Sequence, residues 1–206
     1  MEKTPISGPE AAGASETARD PGLLRMALWF YAGLLVLAVL ISRLTRHSLF
    51  YADSAAAATG VAWLRDVGAG LLAAGVVIAA SALLTSRTRW GAALSDALAA
   101  LLGPMRPGTC WLLAATSGVA EEALFRGALQ PQLGLVGASV VFGLAHFAPR
   151  RDLLPWTLFS LAAGFGLGAL YAWTGNLVAP VVAHAGVNAV NLQLIARRAA
   201  PGFTRP

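Results

Sequence analysis

Six apolar runs, separated by short polar or basic segments, organise the chain. The first extends over about Leu23 to Ser42 and ends at the basic "SRLTRH"; the second covers about Val67 to Leu84 and ends at "TSRTRW". Between them, "SLFYADSAAAATGVAWLRD" is mixed and predicts a loop or an interfacial helix. Gly91 to Leu102 is apolar but short, and Asp96 interrupts it. That pattern predicts an amphipathic helix lying at a membrane surface or packed on the bundle. "GPMRPG" then breaks the chain. The remaining runs cover about Thr109 to Gln130, Leu133 to Phe147, Leu153 to Trp173 and Leu177 to Ile195, the last two joined by a tight "TGN" turn. A membrane-crossing helix needs roughly 18 or more predominantly apolar residues. The pattern therefore predicts an all-α, polytopic transmembrane bundle of about six spans.

Composition agrees. Of 206 residues, 57% are hydrophobic and 12% charged, with a mean hydropathy of +0.65, whereas a soluble domain is about a quarter charged. The net charge of +5 would suggest nucleic acid in a soluble chain, but most arginines lie outside the apolar runs, where basic residues act as topology signals. With the N-terminus inside, 11 basic residues (Lys3, Arg19, Arg25, Arg87, Arg89, Arg106, Arg150, Arg151, Arg197, Arg198 and Arg205) fall inside and 3 (Arg43, Arg46 and Arg65) outside. The positive-inside rule thus predicts that both termini are cytoplasmic. Trp29, Trp111, Trp156 and Trp173 fall near run ends, as an aromatic belt would place them. Cys110, the only cysteine, excludes an internal disulfide and a thiolate-rich metal site.

Residues 1–21 are polar and without apolar period, and predict a disordered cytoplasmic tail. Run one starts too far along the chain, and is too long, for a typical cleaved signal peptide, and reads as an uncleaved first span. Residues 22–108 hold the N-terminal spans and the interfacial helix, 109–196 a core, and 197–206 a basic tail. Gly164, Gly166 and Gly168 sit inside an apolar run and suit close helix packing better than phosphate binding.

The core contains the charges that are hardest to place in lipid: Glu121, Glu122, Arg126, His146 and His184, with Asn188 and Asn191 adding amides. Ionisable groups at membrane depth are costly and usually line a functional interior. Adjacent glutamates diverge by about 100° on a helix, so only one can point squarely into a given site. Glu122 and Arg126 stand four apart, acid first, the favourable order for an ion pair. Glu121 has no such partner. Phe142 lies one turn before His146, and Asn188 one turn after His184. Counted along the runs, Glu121 and His184 lie roughly 16–18 Å from the inner ends of their helices, so they can meet near the midplane. His146 falls closer to the inner end of run four. The same residues are also compatible with a purely structural polar core, a proton- or ion-coupled relay, or a non-catalytic scaffold.

"EEALFR" (Glu121, Glu122, Arg126), "FGLAH" (Phe142 to His146) and "HAGVN" (His184 to Asn188) occur in that order on separate apolar runs. Together they resemble the motifs of the CPBP family of intramembrane proteases, the CAAX prenyl endopeptidase or Abi type, over about Trp111 to Leu194. The resemblance implies an endopeptidase. Glu121 would be the general base that activates a water, with His146 helping to hold it; His184 and Asn188 would stabilise the oxyanion; and Glu122, Arg126 and Phe142 would support them. Members often have eight spans rather than six. The family has been described both as metal-dependent and as metal-free. Glu121, His146 and His184 could supply a zinc site, but there is no HExxH spacing, and Asn188 is a better oxyanion donor than zinc ligand, which favours metal-free chemistry. Family members act on prenylated tails, bacteriocin leaders or sorting tags. The Arg- and Ala-rich composition suits a GC-rich bacterium, which predicts a membrane-associated peptide or protein tail as substrate and the bacterial inner or plasma membrane as location.

Overall fold

The computed structural model describes residues 19–204. Eight α-helices occur among them: α1 (Arg19–Thr45), α2 (Ser54–Thr59), α3 (Trp63–Arg87), α4 (Arg89–Leu102), α5 (Pro107–Glu122), α6 (Gln130–Ala145), α7 (Leu154–Thr174) and α8 (Val178–Ala199). A π-helical stretch, Ala123–Leu129, continues α5 into α6, and a 3₁₀ turn, Arg151–Leu153, precedes α7. No strand is present among the described residues; Tyr51 and Asn176 form one isolated bridge. Most of the expected tail at 1–21 lies outside the described residues, but its last three, 19–21, belong to α1. The basic tail at 197–206 likewise begins inside a helix, because α8 runs on to Ala199.

Side-chain approaches fix the helix directions. Leu49, just beyond α1, meets Gly127 while Gly118 meets Ala185 and Gly70 meets Ala179 and Val182. Alpha-carbons without side chains let these backbones approach. A β-carbon on Gly118 would stand 3.0 Å from the backbone nitrogen of Ala185. Gly118→Val is therefore expected to destabilise the α5–α8 contact by about 1–3 kcal/mol, as overpacking does, measured as a lower unfolding midpoint in detergent; an unchanged midpoint would contradict the packing argument.

Runs three and four are two arms of one helical hairpin. Gly134 (φ 69°, ψ 174°) breaks the helix between them, a conformation that suits glycine because it has no β-carbon to clash. Past this point the chain folds back: the Phe142 and Phe125 rings lie 4.9 Å apart, and His146 reaches Glu121. Gln130 secures the bend by donating its side-chain N–H to the Gly168 carbonyl at 2.9 Å. The returning arm ends at Ala145, so beyond Gly134 it extends only about 18 Å at 1.5 Å per residue, too short to cross a hydrocarbon core of about 30 Å. Accordingly, five stretches are long and apolar enough to span: Leu24–Thr45, Trp63–Arg87, Pro107–Ala145, Arg151–Thr174 and Val178–Ala199. The expected sixth span is the short arm of the third.

Helix α4 packs against α3, α8 and the 3₁₀ turn before α7, at the end of the bundle where α5 begins. There, Arg198 on α8 bonds Asp96 on α4 at 2.5 Å. At the opposite end, a fully buried Asp66 at the start of α3 accepts hydrogen bonds from Arg65 (2.6 Å) and from Asn176 (2.7 Å) in the α7–α8 turn. This pairs a costly buried carboxylate with donors and anchors the start of α8, two turns before His184.

Candidate active site

Glu121 and Glu122 close the last turn of α5, and Arg126 lies in the π-helical stretch that follows. A π-turn widens the helix and is common at functional sites; nothing in the apolar pattern signals it. Divergence of neighbouring helical positions separates the two carboxylates as expected, and the tertiary contacts give each its own surroundings.

Glu122 and Arg126 are fully buried, with Arg126 Nε 3.1 Å from Glu122 Oε2. The guanidinium also lies 4.8 Å from the centre of the Phe142 ring, a cation–π contact. The other oxygen of Glu122 accepts a 2.7 Å hydrogen bond from His184 Nδ1–H. Glu122 thus holds two groups at once, the arginine below it on its own helix and the histidine on α8. Sequence spacing reveals the first partner and cannot reveal the second, which is 62 residues away.

Glu121 is buried too, at 7% exposure. Its Oε2 has no hydrogen-bond partner in the protein. It is flanked by His146 Nε2 at 3.5 Å and His184 Nε2 at 3.9 Å. Each imidazole is oriented from its far side, His184 by Glu122 and His146 by the Phe142 carbonyl, which accepts from Nδ1–H at 2.8 Å. Since a carbonyl oxygen can only accept, His146 Nδ1 carries the proton and Nε2 presents a lone pair in the neutral ring. Thr157 on α7 donates to the His146 carbonyl at 3.2 Å, tying the end of the arm to the next helix.

His146 meets Glu121 because the returning arm is short. Counted as a full span, run four would put it near the inner membrane surface; as the end of a half-length arm it stays level with Glu121. Trp156 also touches the site: its ring lies 5.4 Å from the His146 ring. Phe142 packs on His146 at 4.5 Å and on His184 at 6.1 Å between ring centres. Its role is to wedge both imidazoles from one side.

Asn188 extends the site toward α5. Its amide N–H donates to Ser117 Oγ at 2.9 Å, and the Ser117 hydroxyl donates to the Ala114 carbonyl at 3.2 Å. Tyr31, from α1, approaches Ser117 and Glu121. Neither Ser117 nor Tyr31 stands out in the sequence. Ser117 precedes Glu121 by one helical turn, a hint that only a structure turns into a contact. Asn191 is not among the contacts of this cluster.

A zinc set drawn from Glu121, His146 and His184 has the right ligand types. Yet no group of three His, Cys, Asp or Glu side chains among the described residues is arranged to hold a metal ion. Both imidazoles lie nearest the same oxygen of Glu121, His146 Nε2 at 3.5 Å and His184 Nε2 at 3.9 Å.

Residues 104–190 match the model of a family described as Rce1-like, type II CAAX prenyl endopeptidase. A relative in Bacillus subtilis (strain 168), uncharacterized protein YpbD, is 49% identical over 73 residues, covering 34% of this chain and 37% of the relative. No solved structure matches.

Proposed function

Through residues 104–190, which carry all three motifs, the chain belongs to the CPBP family of CAAX-type intramembrane proteases, and on that premise we propose that it hydrolyses a peptide bond in a membrane-associated peptide or protein tail by a water activated at Glu121. One observation carries the reading: a buried carboxylate oxygen, free of protein hydrogen bonds, with two imidazole nitrogens within 4 Å of it. Ionisable groups at membrane depth are costly and usually functional, and peptide hydrolysis needs a base beside groups that can stabilise the developing oxyanion.

In the reaction, Glu121 takes a proton from water as the oxygen attacks the scissile carbonyl carbon. His146 Nε2 accepts from the same water or from the protonated Glu121. The carbonyl oxygen becomes an oxyanion that receives hydrogen bonds from the second N–H of Asn188 and from Nε2–H of protonated His184. Glu121 then passes the proton to the leaving amine as the C–N bond breaks. Glu122 keeps His184 turned toward Glu121, and Ser117 holds one amide N–H of Asn188 so that the other can point to the oxyanion.

The reading is tested with purified protein reconstituted in liposomes together with membrane-anchored peptides carrying prenylated, leader-type or sorting-tail C-termini, each assayed with and without a strong chelator. Cleavage of at least one class, insensitive to chelator, is expected. Cleavage abolished by chelator and restored by zinc would replace the metal-free route, and absence of cleavage would favour a non-catalytic membrane partner or a proton-coupled transporter. Within the site, Asn188→Ala is expected to lower kcat by about 10²–10³, the usual effect of losing one oxyanion donor. Ser117→Ala should lower kcat by about fivefold with KM unchanged, because one neutral hydrogen bond contributes about 1 kcal/mol. Equal losses in KM would mean that these residues only bind substrate.

In this reading the protein is a multi-pass protein of a bacterial plasma membrane. The α4 end faces the cytoplasm, since Arg87, Arg89, Arg106, Arg197 and Arg198 gather there. The described chain starts and finishes at that end.

A further inference from the structure

At the end of the bundle opposite α4, the last turn of α1 and the segment after it line an open cavity of about 520 Å³, whose Leu49 wall backs onto Gly127. Ser42, Arg43, Arg46, His47 and Ser48 supply its polar wall, with Val39 and Leu49 beneath. No carboxylate lines it, and none pairs with Arg43 or Arg46 among the described residues. Arg65, the remaining arginine expected at this end, is by contrast committed to Asp66 and to the Thr174 carbonyl.

The backbone adds a second observation. Helix α1 terminates with His47 N–H bonded to the Ser42 carbonyl and Arg46 N–H to the Arg43 carbonyl. In such a cap the residue before the last donor adopts a left-handed conformation, which glycine fills most cheaply. Arg46 occupies it at φ 56°, alone among non-glycine described residues in having positive φ. A long cation thus stands where local energetics favour no side chain, and it lines the cavity. Trp63 and Trp173, both well exposed, lie at the same end of the bundle, where aromatic side chains mark the boundary between hydrocarbon and headgroups.

We propose that this cavity binds a phosphate group of net negative charge, supplied by an anionic phospholipid headgroup or by free phosphate. Arg43, Arg46 and His47 provide the donors, and the Ser42–His47 cap holds them together. Arginine forks suit phosphate oxygens, which they bind bidentately. The site is independent of the protease reading, because it shares no residue with the catalytic cluster.

The test uses the full chain in detergent, titrated with phosphatidylglycerol, phosphatidylcholine or inorganic phosphate and read by native mass spectrometry as bound mass and apparent affinity. The variant is Arg43→Gln/Arg46→Gly. Glycine at 46 relieves the left-handed strain, so lipid-free thermal stability should equal or exceed that of the wild type. Wild type is expected to retain phosphatidylglycerol in preference to phosphatidylcholine, and the variant to bind it at least tenfold more weakly. Competition by inorganic phosphate at millimolar concentration would identify free phosphate as the source and leave the phosphate site standing. Equal binding by wild type and variant, or no preference for the anionic lipid and no phosphate binding, would overturn the proposal.

Discussion

Glu121→Gln is expected to reduce cleavage by at least about 10³-fold while the protein inserts and folds normally. A positioned general base contributes about 10²–10⁴, and glutamine is nearly isosteric with the carboxylate but cannot take the proton. Glu121 Oε2 makes no hydrogen bond within the protein, and an amide can keep its packing between His146 and His184 while removing a costly buried charge. The unfolding midpoint should stay level or rise. Single-turnover cleavage in liposomes and thermal unfolding of the same preparation check both halves. A variant that keeps more than a tenth of wild-type turnover would exclude Glu121 as the base. Loss of folded protein would instead place the residue in the structural core.

Replacing Arg126 by Met should produce the opposite signature. Arg126 and Glu122 are both fully buried, and removing one partner of a buried pair leaves the other charge uncompensated, at a cost of about 3–5 kcal/mol. For a chain of this size that corresponds to a fall of about 6–20 °C in the unfolding midpoint. The double variant Glu122→Leu/Arg126→Met should regain most of that stability, because an apolar pair of similar volume can replace a buried ion pair. Its activity should nevertheless remain low, since His184 Nδ1 loses the carboxylate at 2.7 Å that orients it. Recovery of both stability and activity would show that Glu122 serves the fold alone.

These two predictions separate adjacent residues of the same chemical type, and the means of telling them apart was only half legible in the sequence. The i,i+4 spacing of Glu122 and Arg126 is local, and so is the divergence of Glu121 from Glu122. Helical geometry is set by neighbouring residues, so periodicity alone yields the all-helical membrane architecture, the apolar runs and the Glu122–Arg126 pair. The three motifs, in order on separate runs, add the family and name Glu121, His146, His184 and Asn188 before any contact is known.

Tertiary structure decided what depends on the path between runs. Gly134 at φ 69° turns runs three and four into a hairpin with one short arm, and this stops His146 level with Glu121. Periodicity records that residues 133–147 are apolar but not how deep the arm reaches, because depth follows from a single backbone dihedral. His184 meeting both glutamates, Asn188 meeting Ser117, and Tyr31 arriving from α1 all join positions far apart in sequence, where helix packing rather than helix period sets the distance. The sequence by itself therefore determined which groups are too costly to be in lipid without a purpose; the packing of α1, α6 and α8 around α5 determined which of them meet. The physical reason is that a helix carries its own geometry in its local hydrogen bonds, while the bundle's geometry rests on close contacts such as Gly118 with Ala185, whose partners no local pattern names.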